Sequence, residues 1–381
     1  MTDVLDLHAN IPPLHLEIDK HCHRAATCIA TLPPAHPLHK PVKKCTSRTI
    51  VKRHLSPLYK LMKTYSTQPS SIECIRPAPH NLAMVHKRPF MVSITEDKEA
   101  SILEDSRAAE QVKVYTDGSV QDGKVGAVAI IKREGVLTQT LSYHLGPSSL
   151  HTVHEVEPIG ILLGLHLIKT DKRGRTSYTI SVDNQAAISA LTAVKSSPGQ
   201  YIADAILKTV AKIKKARSSG NYSLKFRWTA GHVGIQGNEE VDIEAKKVAE
   251  GRTLDKKELP PLLCKQIKDN KSALRQHKKE QLKKRWASET EWKVFPQFNK
   301  INNIDSSLPS KKFIELISDD RLSRLDVSHL AQLRAGHFPV NTYLERIGKA
   351  DSTCCPVCGH PREDIKHFLL DCPSYVHERV C

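Results

Sequence analysis

The chain has 381 residues, enough for two or three domains, and 39% of them are hydrophobic, enough for a core. Lys and Arg number 57 against 41 Asp and Glu, a formal charge of +16, which favours a polyanionic partner such as nucleic acid. No apolar run reaches the length of a membrane span, and the first twenty residues have no basic-then-apolar leader. An intracellular protein, in nucleus or cytoplasm, is the expectation, and the ten cysteines then read as thiols or metal ligands, not disulfides.

Residues 1–110 are rich in Pro, His and Lys, as in TLPPAHPLHKPVKK (31–44), and such composition breaks helices and strands. A helix over 16–32, stopped by Pro33, is the one regular element expected there, and the segment reads as an irregular linker. From 111 to 251 the patterning turns regular. VKVYTD alternates, with Val112, Val114 and Thr116 opposite Lys113, Tyr115 and Asp117. Asp122-Gly123 signals a hairpin turn into VGAVAIIKRE, and Gly135 a second turn into VLTQTLSYHL. A largely apolar helix (152–170) follows, then an alternating strand YTISVD (178–183) and a short helix (184–194). Ser197 and Pro198 are the expected cap and start of the next helix, where Ile202, Ile206, Val210 and Ile213 share a face. SLKFRW (223–228) is a strand, and Asn238 the expected cap of a last helix that Gly251 stops.

A meander of strands followed by alternation with helices predicts an α/β fold: a five-stranded mixed sheet, three strands antiparallel and two parallel, flanked by helices. A basic helical linker (252–325) and a small C-terminal module (326–381) complete the expected organisation.

Asp117 and Asp183 each close an alternating strand, where open α/β sheets place their sites. Glu155 and Glu157 stand near the start of the intervening helix, and Asp242 one turn into the last one. Carboxylates gathered at one point repel, so such a cluster implies bound cations. Oxygen ligands of this type suit Mg²⁺, and a pair of ions suits phosphodiester hydrolysis. Taken singly, each acid has a plainer reading: Asp183 as a helix cap, Asp117 as an Asx-turn former, any of the chain's 41 acids as a solvated group.

In this order and spacing, YTDGS, the Glu157 helix, SVDNQAAI and RWTAGHVGIQGNEEVDIEAK (227–246) closely resemble type-1 ribonuclease H, as found at the C-terminal end of fungal non-LTR retrotransposon polyproteins. The resemblance implies endonucleolytic cleavage of the RNA strand of an RNA–DNA hybrid with two Mg²⁺ or Mn²⁺ ions. It places the four metal-binding acids on Asp117, Glu157, Asp183 and Asp242, and the family's loop histidine, which assists proton movement or product release, on His232. Where the family has an apolar residue after the helix glutamate, this chain has Pro158. The helix must then start near 153–155, or the carboxylate is displaced and Glu155 is the fallback. Gly160 and Gly164 each weaken the helix by about 1 kcal/mol against Ala.

Recognition of an A-like hybrid goes by shape, 2′-OH groups and phosphates, so little sequence specificity is expected. The resemblance places Asn184 and Gln185 near the RNA strand. Lys208, Lys212 and Lys215, spaced along one helix face, could grip DNA phosphates or form a solvated face. Tyr201 and Trp228 could stack on a sugar, with core packing the alternative for Trp228.

Near the C-terminus, Cys355, Cys358, His367 and Cys372 are spaced by two, eight and four residues, which suits tetrahedral Zn²⁺ in a structural role. The pattern is similar to the Cys-Cys-His-Cys module of the same polyproteins; Cys354, His360 and Cys381 are spare ligands. Residues 1–110 offer no apolar hairpin for a polymerase acidic pair, so the chain reads as a C-terminal remnant of such a polyprotein without polymerase activity. Two other readings compete with the hybrid nuclease: a catalytically inactive nucleic-acid-binding remnant, and a zinc-stapled interaction protein.

Overall fold

The computed structural model describes residues 9–47, 55–77, 89–108, 110–171, 177–192, 196–217, 222–251, 258–288 and 312–379. The chain divides into two compact units, residues 21–279 and residues 1–20 with 280–381.

The larger unit is built on one mixed sheet of order β1-β6-β5-β2-β3-β4. Its strands are β1 (Met91–Ser93), β2 (Val112–Gln121), β3 (Lys124–Arg133), β4 (Val136–Pro147), β5 (Ser177–Val182) and β6 (Ser223–Trp228). β2, β3 and β4 pair antiparallel, while β2–β5, β5–β6 and β1–β6 are parallel. Five strands stand as the sequence predicts, and the three-residue β1 adds a sixth at the edge. The β2–β3 hairpin closes through Asp122 (φ 49°) and Gly123 (φ 72°), and β3–β4 through Glu134 (φ 50°) and Gly135 (φ 81°). Two successive positive φ values define the type I′ turn that the Asp-Gly pair favours.

Helix α4 (Lys98–Arg107) precedes β2; α5 (Val153–Thr170), α6 (Gln185–Thr192), α7 (Gln200–Ala216) and α8 (Gln236–Ala249) follow in turn. Val112 and Val114 of β2 pack with Val156, Ile159 and Leu163 of α5 and the buried stripe Ile202, Ile206, Val210 and Ile213 of α7. Tyr115, Val128 and Ile130 pack with Val241, Ala245 and Val248 of α8 in a second cluster. Glycines set both approaches. A Cβ at Gly164 would lie 2.9 Å from Val114 Cγ1, and one at Gly237 would lie 2.3 Å from the Tyr115 ring. The helix propensity lost at Gly164 is thus exchanged for close seating of α5 on β2.

Two helix starts differ from expectation. α7 begins at Gln200, not at Pro198, because Gly199 (φ 78°) turns the chain in and its N–H donates to Glu73 Oε2 at 2.6 Å. α8 begins at Gln236, and Asn238 is not its cap: the Asn238 and Glu239 N–H groups both return to the Ile235 carbonyl, leaving Asn238 buried within the first turn.

The leading segment holds short helices between irregular stretches: α1 (Leu14–Ala30), where 16–32 was expected, α2 (His39–Ser47) and α3 (Pro57–Thr64). Ala26, Ala30, Val42, Met62 and Ile72 form a small core of their own. Of the expected basic helical stretch, α9 (Lys271–Ala287) is helical, and 289–311 lie outside the described residues. The second unit contains α10 (Lys312–Ile317), α11 (Arg324–Ala335) and α12 (Asn341–Arg346), followed by the Cys and His turns. Among the described residues no helix is long and apolar enough to cross a membrane.

Candidate active site

Pairing between β2 and β5 stops at Thr116–Val182, and each strand's next residue is an aspartate. Asp117 and Asp183 therefore stand side by side at the carboxyl end of the parallel pair, although β2 itself runs on to Gln121 against β3. α5 brings Glu157 to the same place. A Cβ at Gly160 would sit 3.3 Å from Thr116 Cβ, so this turn of α5 lies directly over the strand that carries Asp117.

Pro158 falls in the second turn of α5 and removes the N–H that would bond the His154 carbonyl. The helix still starts at Val153, within the required window, and Glu157 keeps its register. Asp117, Glu157 and Asp183 each offer an oxygen, and the three oxygens lie within 4.8 Å of one another. Glu155 points elsewhere: its carboxylate meets His151 Nδ1 at 3.1 Å and accepts the Tyr201 hydroxyl at 2.9 Å. The fallback ligand is thus outside the cluster, and Tyr201 is held by Glu155.

Burial, then the charges of Asp183 and Asp242, pushes the Asp117 carboxyl up to about 7. Burial, then Asp183 and Asp117, raises Glu157 well above the usual carboxylate range. Asp183 is raised by burial and by Asp242, against the opposing pull of a backbone hydrogen bond and of His232. Glu157 Oε2 and Asp183 Oδ1 are buried with no hydrogen-bond partner among the described residues. Three converging carboxylates with two orphaned oxygens fit hard divalent cations, which take oxygen ligands and relieve this repulsion.

Asp242 belongs to an adjoining group. Its carboxylate, the Glu239 carboxylate and the His232 ring bring their ligand atoms within 4.8 Å of one another. Lys246 Nζ lies 2.7 Å from Asp242 Oδ2. His232 sits on the exposed loop between β6 and α8 with φ 57°. The charge of Asp242 acts on Asp117 and on Asp183, which makes the two groups electrostatic neighbours. Glu239 was missed by the sequence reading; its signal is the three-residue spacing to Asp242 on one helix face.

The proposed hybrid-facing residues are placed variously. Asn184 Oδ1 accepts the Ala186 and Ala187 N–H groups at 2.9 and 3.2 Å, capping α6. Asn184 thus takes the capping role that Asp183 could have had, and Gln185 beside it is exposed. Trp228 packs at the core margin and donates its Nε1–H to the Asp183 carbonyl at 2.9 Å. Lys208, Lys212 and Lys215 are exposed along α7. At 1.5 Å per residue they stand roughly 10 to 21 Å along the helix from Tyr201.

In the second unit, Cys355, Cys358, His367 and Cys372 bring their ligand atoms within 4.8 Å. Cys358 Sγ and His367 Nε2 are 3.3 Å apart, and Cys355, His367 and Cys372 are buried. Gly359 (φ 74°) turns the chain between the two halves, and its N–H donates to the Cys355 carbonyl at 3.0 Å. Three soft thiols and one imidazole in this setting fit tetrahedral zinc. Of the spare ligands, Cys354 is exposed and the His360 ring stacks on His367 at 4.5 Å, while Cys381 lies outside the described residues.

Part of the chain is similar to several solved structures. LC11-RNase H1, isolated from compost by a metagenomic approach and solved in complex with RNA/DNA hybrid, is 19% identical, covers 37% of this chain and 99% of its own, and gives a TM-score of 0.29. RNase H1 from the halophilic archaeon Halobacterium salinarum NRC-1 is 11% identical over 36% of this chain and 98% of its own, TM-score 0.28. The N-terminal RNase H domain of Rv2228c from Mycobacterium tuberculosis, fused to maltose-binding protein, is 16% identical over 37% and 97%, TM-score 0.28. No curated protein matches the chain. The model of the RNase H family matches residues 109–250, the stretch that carries Asp117, Glu157, Asp183, His232 and Asp242. This part of the chain is a ribonuclease H domain.

Proposed function

We propose that the chain hydrolyses the RNA strand of RNA–DNA hybrids at the carboxylate cluster, with two divalent cations. A ribonuclease H domain is a phosphodiester hydrolase; the strand, the hybrid substrate and the ion pair are our reading. The observation that carries it is the convergence of Asp117, Glu157 and Asp183 with two orphaned buried oxygens.

Asp117, Glu157, Asp183 and Asp242 would hold Mg²⁺ or Mn²⁺. Such a pair, when bound, supplies an activated water and neutralises charge at the leaving oxygen. The protein's own groups do the rest. Asn184 caps α6 and so leaves the Asp183 carboxylate for the cluster. Lys246 pairs with Asp242 and gives way when a cation takes that carboxylate. His232, exposed on its loop beside Asp242 and Glu239, is suited to move a proton at the edge of the site or to assist product departure. Asn184 and Gln185 would touch the RNA strand, and Lys208, Lys212 and Lys215 the DNA phosphates at a distance from the scissile bond. Shape and backbone contacts of this kind give little sequence preference.

Cys355, Cys358, His367 and Cys372 would hold a structural Zn²⁺ that fixes a small nucleic-acid-contacting module. The order of the motifs, with a Cys-Cys-His-Cys cluster after the ribonuclease H domain, supports origin in a retrotransposon polyprotein. Incubating the chain with a hybrid labelled in its RNA strand, with Mg²⁺ or Mn²⁺, tests the reading: cleavage confined to that strand is expected.

A further inference from the structure

α4 and β1 precede residues 109–250, the family-matched segment, yet α4 reaches the root of the histidine loop. Ser101, 1% exposed, accepts the Ala230 N–H at 3.0 Å and donates its hydroxyl to the Trp228 carbonyl at 3.3 Å. The residue between, Thr229, donates its N–H to the Val182 carbonyl at 2.9 Å. The start of the 229–235 loop is therefore tied to β5 on one side and to α4 on the other. Ala230 is wholly buried, and a Cβ at Gly231 would stand 3.6 Å from Asp183 Oδ2. His232 follows directly, in the left-handed conformation that a non-glycine residue adopts only when its surroundings hold it.

α4 is itself fastened. Asp97 Oδ1 caps it at the Ala100 N–H, 2.7 Å away. Asp105 pairs with Arg227, a fully buried residue of β6, and lies 3.8 Å from Lys113 Nζ. Glu104 Oε1 accepts the Ser93 hydroxyl of β1 at 2.7 Å.

We infer that Ser101 is a positioning residue for His232, and that α4, supplied from outside the ribonuclease H segment, sets that loop over the carboxylate cluster. The inference rests on the role proposed above for His232. Without the Ser101 hydroxyl, the buried Ala230 N–H and Trp228 carbonyl lose their partner, and the loop root must shift to find water. Two residues on, the imidazole moves with it.

The test uses the full chain and three variants: Ser101→Ala, His232→Ala and the double variant. In Ser101→Ala, hydrogen exchange at the Ala230 amide, read by NMR, is expected to quicken about tenfold, kcat on the hybrid to fall about tenfold, and KM to stay within about twofold. In the His232→Ala background, Ser101→Ala is expected to slow turnover no further. Asp97→Ala, which frays the start of α4 without emptying a buried site, is expected to give the same pattern more weakly, so a poorly folding Ser101→Ala does not leave the matter open. Unchanged Ala230 exchange in a folded variant would overturn the clamp. An equal loss of kcat with and without His232 would overturn the positioning role. If the unaltered chain does not cleave the hybrid, the proposed function fails and the positioning role with it, while the amide exchange still decides the clamp.

Discussion

Lys246 Nζ sits 2.7 Å from Asp242 Oδ2, one turn further along α8, and the attraction of Asp117 and Glu239 adds to that pairing. The ribonuclease H segment thus brings its own cation to the margin of its acidic cluster. Replacing Lys246 with Met removes a competitor for Asp242. Exposed pairs of this kind are worth about 0.2–1 kcal/mol, so the affinity for Mn²⁺, titrated calorimetrically, is expected to rise by a factor of about 1.4 to 5. A weaker affinity would mean that Lys246 orders Asp242 more than it competes.

The cluster without cations carries a cost that pH sets. The Asp117 carboxyl is raised from 3.8 to about 7 in the folded protein, chiefly by burial. The folded state therefore holds this proton more tightly than the unfolded chain. The stabilisation is full below about pH 4 and is lost as pH rises to about 7, a change on the order of 4 kcal/mol. Thermal melts without added divalent ions are expected to show lower stability of this unit at pH 8 than at pH 5. Asp117→Asn is expected to flatten that slope and raise the melting temperature at pH 8.

Glu73 belongs to the leading segment, yet its carboxylate accepts the Gly199 N–H at 2.6 Å and the Lys271 N–H at 2.9 Å. It is 2% exposed, and burial raises its pKa. Glu73→Ala would leave two part-buried donors unpaired at the starts of α7 and α9. A loss of about 2–4 kcal/mol is expected in urea unfolding of this unit, and Glu73→Gln should recover part of it.

For the second unit, elemental analysis of the purified chain is expected to find one zinc per molecule. Cys358→Ser is expected to lower that content and the melting temperature of this unit, because binding energy at such a site is folding energy. Unchanged melting in a zinc-free chain would make the cluster a set of packed thiols.

The sequence carried the sheet and most of the cluster because those signals are local. Alternation in VKVYTD and YTISVD marked the strands, Asp122-Gly123 marked its turn, and the two aspartates follow the residues where β2 and β5 stop pairing. What escaped depends on partners far along the chain. β1 has three residues and no alternation to read. The start of α7 is set by a carboxylate 126 residues away, and Ser101 reaches a loop 129 residues on. Pro158 looked disruptive at Glu157, but the start of α5 at Val153 and the glycine seat on β2 keep that side chain in place.

Cleavage of a hybrid labelled on its RNA strand, by the intact chain and by Asp183→Asn, Glu157→Gln and Glu155→Gln, tests the central claim most directly. The account predicts metal-dependent cutting of the RNA strand that Asp183→Asn and Glu157→Gln abolish and Glu155→Gln retains. A folded chain that leaves the hybrid intact with both Mg²⁺ and Mn²⁺, or cutting that survives Asp183→Asn, would contradict it.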